Sequence, residues 1–533
     1  MGDQTDMSVK GEIKSVLGRF PAVAELDFNF RRRGTPPRGF SLDRLDAVLA
    51  DWQAQAAASP FINQPGKRVF IFATQRYWIE HASLFGLALA GQGHQVDFAY
   101  LPYADWRKPV NAYDLQQHGL YAKRVMDNAA PLLNVSSLLD YAEVDQLPVA
   151  LETELEAVSI RDCQYTDQVE AVDQAGDLYQ FRLARNRQAA AAAYRWLKDN
   201  TPDVVIVPNG LIMEFGAVYQ VGRQLGIPVV SYEFGEQRDR IWFSQDRPVM
   251  IQDTSALWAA SKDKPFSDAQ LETVRDLFQH RQGAALYQNF YRKWQDLPAE
   301  GGAAARAKLG LDERPVVLLA ANVVGDSLTL GRQVFTESMT EWLVETLRAC
   351  VTRPKLQLVL RVHPGERNLE GPSVADLVAE TLPDLPENIH IVRAGEPVNT
   401  YDLIALADLG LAYTTTVGLE MAMSGVPVIV VGETHYRDRG FTFDPTSWDE
   451  YNALLDQAIN RDGLAISKAQ VRQAWHYAYR FFFDYPQPFP WHLIHMWEHV
   501  EQSSLSKVLT EEGLQTYQKT FDYLIGEPVP WAK

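Results

Sequence analysis

Cysteine, long apolar runs and positive charge are all scarce in this sequence, and each shortage removes a class of protein. The only cysteines are Cys163 and Cys350. They exclude a disulfide scaffold and argue against a cysteine-built zinc site. No uninterrupted apolar run approaches the roughly 20 residues that cross a bilayer. The opening stretch, MGDQTDMSVKGEIK, has no apolar core of the signal-peptide kind, which places the expected location in the cytoplasm. Lys and Arg number 50 against 68 Asp and Glu, a formal net charge of −18. Nucleic acid is therefore not an expected partner, because phosphate backbones are met by basic surfaces. The sequence has no G-x-x-x-x-G-K-[ST] loop, and no G-x-G-x-x-G follows its first strand. Gly91-Gln92-Gly93 closes a helix instead of opening one, which weakens ATPase and dehydrogenase readings. No D-x-D pair stands at a strand end, so neither a metal nor any other cofactor is expected. His492 and His495 lie in an aromatic segment, where packing or capping is the expectation.

What is present indicates a folded protein of more than one domain. The chain has 533 residues, 46% of them hydrophobic, with 13 tryptophans. That length exceeds one ordinary core. The pattern divides it into an N-terminal helical extension (1–60), an N-terminal domain (61–255), a helical linker (256–311), a second domain (312–465) and aromatic C-terminal helices (466–533) that pack back on the first domain. The extension is broken by the basic loop Arg31-Arg32-Arg33-Gly34-Thr35-Pro36-Pro37-Arg38-Gly39, a solvated connection or a contact for phosphate or acidic lipid.

Short apolar runs alternate with helical stretches in both domains. In the first, strands are expected at 67–73, around 95–98, at 203–207 and at 227–231, with residues 101–200 largely helical. In the second they fall at 315–320, 356–362, 389–392, 409–412 and 426–431, with an amphipathic helix at 341–350. Buried strands separated by helices imply parallel sheets covered on both faces. The fold class is α/β, with two Rossmann-like domains facing across a cleft and helical extensions at both ends.

Ligands of open parallel sheets bind beyond the carboxyl ends of strands, so polar clusters there are the candidates. Tyr413-Thr414-Thr415-Thr416-Val417-Gly418-Leu419-Glu420 ends a strand and opens a helix. Its hydroxyls and helix terminus suit a donor phosphate, Gly418 permits close approach, and Glu420 can accept from ribose hydroxyls; the bland alternative is a threonine N-cap. In Arg361-Val362-His363-Pro364-Gly365, Pro364 aims His363 out of the sheet, where it or Arg361 can stabilise charge on a departing phosphate. Asn322, Asp326 and Ser327 follow the first strand of the second domain and can contact donor or acceptor, or form only an Asx turn. In the first domain Glu233 is a candidate general base for an acceptor hydroxyl. Asn209 and Gly210 line the same strand ends, and Glu80 and His81 are rival candidates on the acceptor side.

These residues resemble the bacterial capsule-polysaccharide glycosyltransferases of two-Rossmann-domain (GT-B) type, the Kdo-transferring group, and more distantly the bacterial sialyltransferases. The similarity is carried by Arg361 to Pro364, Thr414 to Glu420, Ser424 to Ile429, Gly432 to Tyr436 and Arg439 to Thr442. In the first domain it is carried by His81 to Val96, Pro202 to Gly210 and Glu233-Phe234-Gly235. The resemblance implies transfer of a sugar from a nucleotide-sugar donor to a glycan or lipid-linked saccharide acceptor. It also implies that His363-Pro364 and the Thr415-Thr416 pair hold the donor phosphate. The family often has two acids before glycine where this chain has Glu233-Phe234-Gly235. A sugar-nucleotide epimerase, a teichoic-acid-type polyol-phosphate transferase and an inactive scaffold are the competing readings. The aromatic tail, Tyr477 to Trp491, raises peripheral attachment at the inner face of the plasma membrane as the alternative to burial; sparse basic residues and prolines favour burial. Nothing in the sequence bears on oligomeric state.

Overall fold

The computed structural model describes residues 14, 16–32, 34–141, 146–293, 295–368, 371–459 and 463–531. The opening residues read against a signal peptide, 1–13, and Arg33 of the basic loop lie outside the described residues. In chain order the strands are β1 Arg68–Thr74, β2 Gln95–Leu101, β3 Leu133–Ser137, β4 Val204–Pro208, β5 Val229–Glu233, β6 Arg240–Ser244, β7 Val316–Ala320, β8 Gln357–Arg361, β9 Ile389–Val392, β10 Leu409–Ala412, β11 Val428–Val430 and β12 Gln487–Pro488.

The chain forms two compact units. Unit 1 takes residues 1–162, 174–249 and 487–529; unit 2 takes 163–173, 250–486 and 530–533. The sheet of unit 1 runs β12-β6-β5-β4-β1-β2-β3 and that of unit 2 runs β11-β10-β7-β8-β9. The pairings among β1 to β5 and among β7 to β11 are parallel, while β6 and β12 add antiparallel edges to unit 1. In each unit the first strand is central and the order reverses beside it, between β1 and β4 and between β7 and β10. Both units are therefore Rossmann-like, doubly wound α/β sheets.

The strand sequences explain this arrangement. β4, β7, β8 and β10 are buried at every residue, and β1 at all but Arg68. Strands apolar on both faces need helices on both sides. In unit 1 the helix Arg76–Gly91 is buried from Trp78 onward. In unit 2 the helix Met339–Val351 starts with the Ser338 hydroxyl accepting the Glu341 N–H. Glu170 accepts the Met339 and Thr340 N–H groups at 2.8 and 2.7 Å. These bonds satisfy donors a helix start leaves open. The helix drives Trp342, Leu343 and Leu347 into the core of Val317, Leu319, Leu358 and Leu360. The buried indole of Trp342 donates to the Tyr451 hydroxyl at 3.2 Å, so its one polar atom is satisfied.

β3, β6 and β12 depart from the sequence expectation. β3 (L-N-V-S-S) lies at a sheet edge inside the stretch expected to be helical, and its polar composition hides a strand that pairing with β2 supplies. β12 is two residues long and exists only through β6. No helix among the described residues is long and apolar enough to cross a membrane.

The aromatic tail is consumed by packing. Phe481 and Phe482 are each 6% exposed, while Phe489 and Trp491 are fully buried; Phe483 is half-buried. Within unit 2 the Phe481 ring stacks on His435 with centroids 3.7 Å apart. Within unit 1 the Trp491 indole donates to the Ser503 carbonyl at 2.8 Å. Truncation before Tyr477 should therefore yield insoluble protein. Trp491→Ala should cost about 3–5 kcal/mol, measured as a lowered denaturation midpoint; an active, soluble truncated chain would show that the rings are dispensable.

Candidate functional site

In unit 2 the carboxyl ends of the strands align. Ala320 pairs with Arg361 and Ala412, Ala412 with Val430, and Arg361 with Val392, so these last residues form one row. Thr414, Asn322 and His363 each stand two residues past it, after β10, β7 and β8. Neighbouring strands lie about 4.8 Å apart, so this line spans about 10 Å. It crosses the β7–β10 reversal, where doubly wound sheets open a crevice.

The crevice has a fixed floor. Asn322 is 9% exposed, and its Oδ1 accepts the Thr414 N–H at 3.1 Å. The Thr414 carbonyl accepts from the Thr434 hydroxyl at 3.2 Å. Thr414 is 8% exposed, and its Oγ1 is buried without a partner. A buried hydroxyl left unpaired costs about 1–3 kcal/mol, an arrangement that makes sense if a ligand completes it.

Thr415 and Thr416 divide the roles of a helix start differently from the sequence expectation. The Thr415 Oγ1 accepts the Val417 N–H at 3.4 Å, whereas the Thr416 side chain makes no capping bond and is half-exposed. The helix they open, Val417–Met423, has seven residues, so hydroxyls rather than a long helix dipole carry any affinity for an anion. Gly418 is explained from within the unit. A Cβ there would sit 2.1 Å from the Tyr436 hydroxyl, which itself donates to the Thr415 carbonyl at 2.6 Å. Glycine is needed for Tyr436 to brace the turn, not for close approach of a ligand. Glu420 has a structural role as an anchor. It is 7% exposed and its Oε1 accepts from Arg281 at 2.9 Å, a buried pair whose breaking is costly.

His363 is held by its own turn. Gly365 N–H donates to Nδ1 at 3.0 Å, so the neutral ring carries its proton on Nε2. Burial, then the Arg292 and Arg361 charges, lower its pKa to about 4. His363 is thus a neutral donor at physiological pH. Pro364 opens the 3-10 turn that presents it. Arg361, 5% exposed, donates from Nη1 to the Arg393 carbonyl at 2.8 Å, and its Nε is buried without a partner. Burial lowers its pKa to about 10, so it keeps its charge. Asp326 is in an Asx turn, accepting the Leu328 N–H at 2.8 Å. Burial raises its pKa and Arg292 opposes that. Ser327 is buried beside it. Arg292 acts on both Asp326 and His363, and sequence reasoning missed it because its loop carries no strand-end signal.

The corresponding edge of unit 1 is strained. Gln75 follows β1 with φ 63°, Asn209 and Gly210 follow β4 with φ 56° and 77°, and Met213 has φ 55°. Such values in non-glycine residues persist where the surroundings over-determine them, commonly at functional sites. Here the turn is held by buried charge: Asp162 accepts the Met213 N–H, while Arg182 bridges Asp162 and Glu214, all fully buried. Asn209 Nδ2 reaches Glu233 Oε2 at 3.5 Å, and Phe234 N–H donates to Glu233 Oε1 at 3.0 Å. Burial raises the Glu233 pKa to about 7, with these two bonds opposing. Gln75 follows the same strand-end rule that found Asn209 and could have been found; the Asp162–Arg182–Glu214 network is long-range and could not.

Glu80 and His81 are buried in the core of unit 1, His81 behind Tyr232 and Phe234. Glu80, 3% exposed, has Arg76, Arg44 and Trp497 as its charge and hydrogen-bond neighbours, and burial raises its pKa to about 7. His81 is fully buried with Nε2 donating to the Trp491 carbonyl at 3.0 Å, and burial lowers its pKa to about 4. Its ring packs against Phe234 and Phe489, so it has no route to an acceptor hydroxyl.

No family model matches the chain, and no curated protein matches it. Among solved structures it is similar to KpsC of Thermosulfurimonas dismutans, a beta Kdo 2,4 transferase, at 15% identity over 61% of this chain and 87% of that one, with a TM-score of 0.36. It is similar to MurG of Acinetobacter baumannii at 15% identity over 82% and 99% of the two chains, with a TM-score of 0.25. It is also similar to UDP-GlcNAc 2-epimerase of Neisseria meningitidis bound to UDP-GlcNAc, at 13% identity over 78% and 99%, with a TM-score of 0.25. The doubly wound plan of each unit rests on the strand orders themselves.

The role of Gly418 can be tested by paired substitution. Gly418→Ala should lower the melting temperature, and adding Tyr436→Phe should recover part of the loss by removing the clashing oxygen. Additive losses in the double variant would remove Tyr436 as the reason for glycine.

Proposed function

We propose that this protein is a glycosyltransferase that moves a sugar from a nucleotide-sugar donor to a glycan or lipid-linked saccharide acceptor without a metal ion. The observation that carries the reading is the buried, unpartnered Thr414 hydroxyl at the β7–β10 reversal, in line with Asn322 and His363. A donor phosphate there gives Thr414 its missing acceptor. The half-exposed Thr416 hydroxyl and the His363 Nε2–H are further donors, and Arg361 supplies nearby positive charge.

In the reaction, the acceptor hydroxyl gives its proton to a base and its oxygen bonds to the anomeric carbon. The bond from that carbon to the phosphate oxygen breaks, and the electron pair leaves with the nucleotide. His363, neutral above about pH 4, aids departure by hydrogen bonding rather than by giving up a proton. Glu233 suits the base, since a pKa of about 7 leaves it part-ionised and basic at working pH. The cost is to stability. The folded state holds the Glu233 proton more tightly than the unfolded chain, so stability falls as pH rises from about 4.5 to about 7.

Thr414→Val separates binding from folding by sign. It should raise the stability of the ligand-free protein by about 1 kcal/mol and weaken binding of the donor nucleotide about fivefold to tenfold, read by thermal shift with CMP, UDP, GDP and CDP. Unchanged nucleotide affinity would take Thr414 out of the site.

His363→Ala should lower kcat and kcat/KM together by about 100-fold. kcat/KM should rise with pH to a plateau with a midpoint near 7, and Glu233→Gln should abolish turnover. Activity lost to EDTA and restored by magnesium or manganese would overturn the metal-free scheme. Conversion of donor without any acceptor, with inversion of a sugar carbon, would replace transfer by epimerisation.

A further inference from the structure

The N-terminal extension is apolar on two sides. One side is docked within unit 1: Ala24 is fully buried and Phe28 is 4% exposed. Gln117 donates to the Ala24 carbonyl at 2.6 Å and Gln116 to the Gly18 carbonyl at 2.9 Å, both from the helix Ala112–Met126. The other side faces solvent. Val16 is 54% exposed, Phe20 57%, Val23 36%, Leu26 57% and Phe30 77%. They recur every three or four residues: Val23 and Leu26 lie in the helix Pro21–Leu26, Phe20 stands at its N-cap, Phe30 lies in the π-helical stretch Asp27–Arg32 that continues it, and Val16 precedes the turn before it. Because the segment is tied down on its buried side, this exposure is a presented surface and not the fraying of a loose end. Elsewhere exposed large apolar side chains are scattered, as on any protein surface; a contiguous stripe marks an interaction site.

Charge identifies the occupant. The chain as a whole carries −18, yet residues 14–38 hold Lys14, Arg19, Arg31, Arg32, Arg33 and Arg38 against Glu25 and Asp27, with Lys14 paired to Asp114 and Arg31 reaching Asp27 at 3.4 Å. Arg19 and Arg38 are exposed, and the Arg31 side chain is 81% exposed. An apolar stripe flanked by arginines is the pattern of a helix lying in a headgroup layer, its rings and aliphatic chains in the acyl boundary and its cations among anionic headgroups. A second copy seated on the stripe would bring two basic clusters together, which like-charge repulsion opposes. We propose that Val16, Phe20, Val23, Leu26 and Phe30, with the exposed Arg19, Arg31 and Arg38, form a peripheral docking surface for a bilayer rich in anionic lipid. The aromatic tail is not part of it, because Phe481, Phe482, Phe489 and Trp491 are buried.

The inference is independent of the transfer reading, since its test uses no donor. The full chain is floated with vesicles of phosphatidylglycerol mixed into phosphatidylcholine, and with vesicles of phosphatidylcholine alone. Binding should be to the anionic vesicles, at least about tenfold stronger than to neutral ones, and should weaken as salt is raised. The triple variant Phe20→Ser, Leu26→Ser, Phe30→Ser should lose about tenfold or more in binding while its circular dichroism and melting temperature stay unchanged, because the removed rings and chain are already in water. Arg31→Glu with Arg38→Glu should lose binding comparably and keeps the test sound if the triple variant folds poorly. Wild-type protein that ignores anionic vesicles, or apolar and charge variants that bind as well as wild type, would overturn the proposal. An oligomer of the wild type that the triple variant dissolves would assign the stripe to a second copy instead.

Discussion

Asn322 accepting the Thr414 N–H ties the loop after β7 to the loop after β10 at the place where the sheet of unit 2 changes direction. Parallel strands buried on both faces leave polar side chains no place except the strand ends, and at a reversal the connecting loops diverge and leave room. The hydrogen bond turns that room into a floor of defined geometry. The carbonyls of Thr414 and Thr415 are then occupied by Thr434 and Tyr436, and the Thr414 hydroxyl is left as a buried group without a protein partner. The turn is braced from behind so that it can present donors in front.

The two units meet this constraint with different means. Unit 2 builds its edge from hydroxyl, amide and imidazole donors on a modestly exposed turn, with Arg361 the charge beside them. Unit 1 uses buried charge: Arg182 between Asp162 and Glu214 holds a turn with three left-handed residues, Asn209, Gly210 and Met213. Buried ion pairs are weak evidence for stability. Here the network's role is positional, keeping Asn209 beside Glu233. The raised pKa of Glu233 follows from the same enclosure, since the bonds from Phe234 and Asn209 do not offset desolvation.

The strand readings of the sequence were decided by local chemistry and hold in the structure, and they fix which residues stand at strand ends. Strand positions from β7 to β10 were legible because continuous V/L/I runs bounded by turn residues have few alternatives. The strand-end rule located Thr414, Asn322, His363, Asn209 and Glu233, because it follows from topology that the alternation of strands and helices already implies. Glu420 and His81 show the limit of that rule. Both stand within the first two turns of a helix after a strand, and only their three-dimensional neighbours, Arg281 for one and the Trp491 carbonyl for the other, reveal how each is held in the interior.

Composition and periodicity alone determined that this chain is a pair of parallel α/β units with polar clusters at their strand ends, because burying both faces of a strand leaves a local signature in every strand. Tertiary structure decided what each cluster member does. It gave Gly418 to Tyr436, Glu420 to Arg281 and the aromatic tail to the cores, and it left the stripe from Val16 to Phe30 outside them. A helix apolar on both sides reads in sequence as one to be buried. Which side finds a partner within the chain depends on residues a hundred positions away, and those become neighbours only on folding.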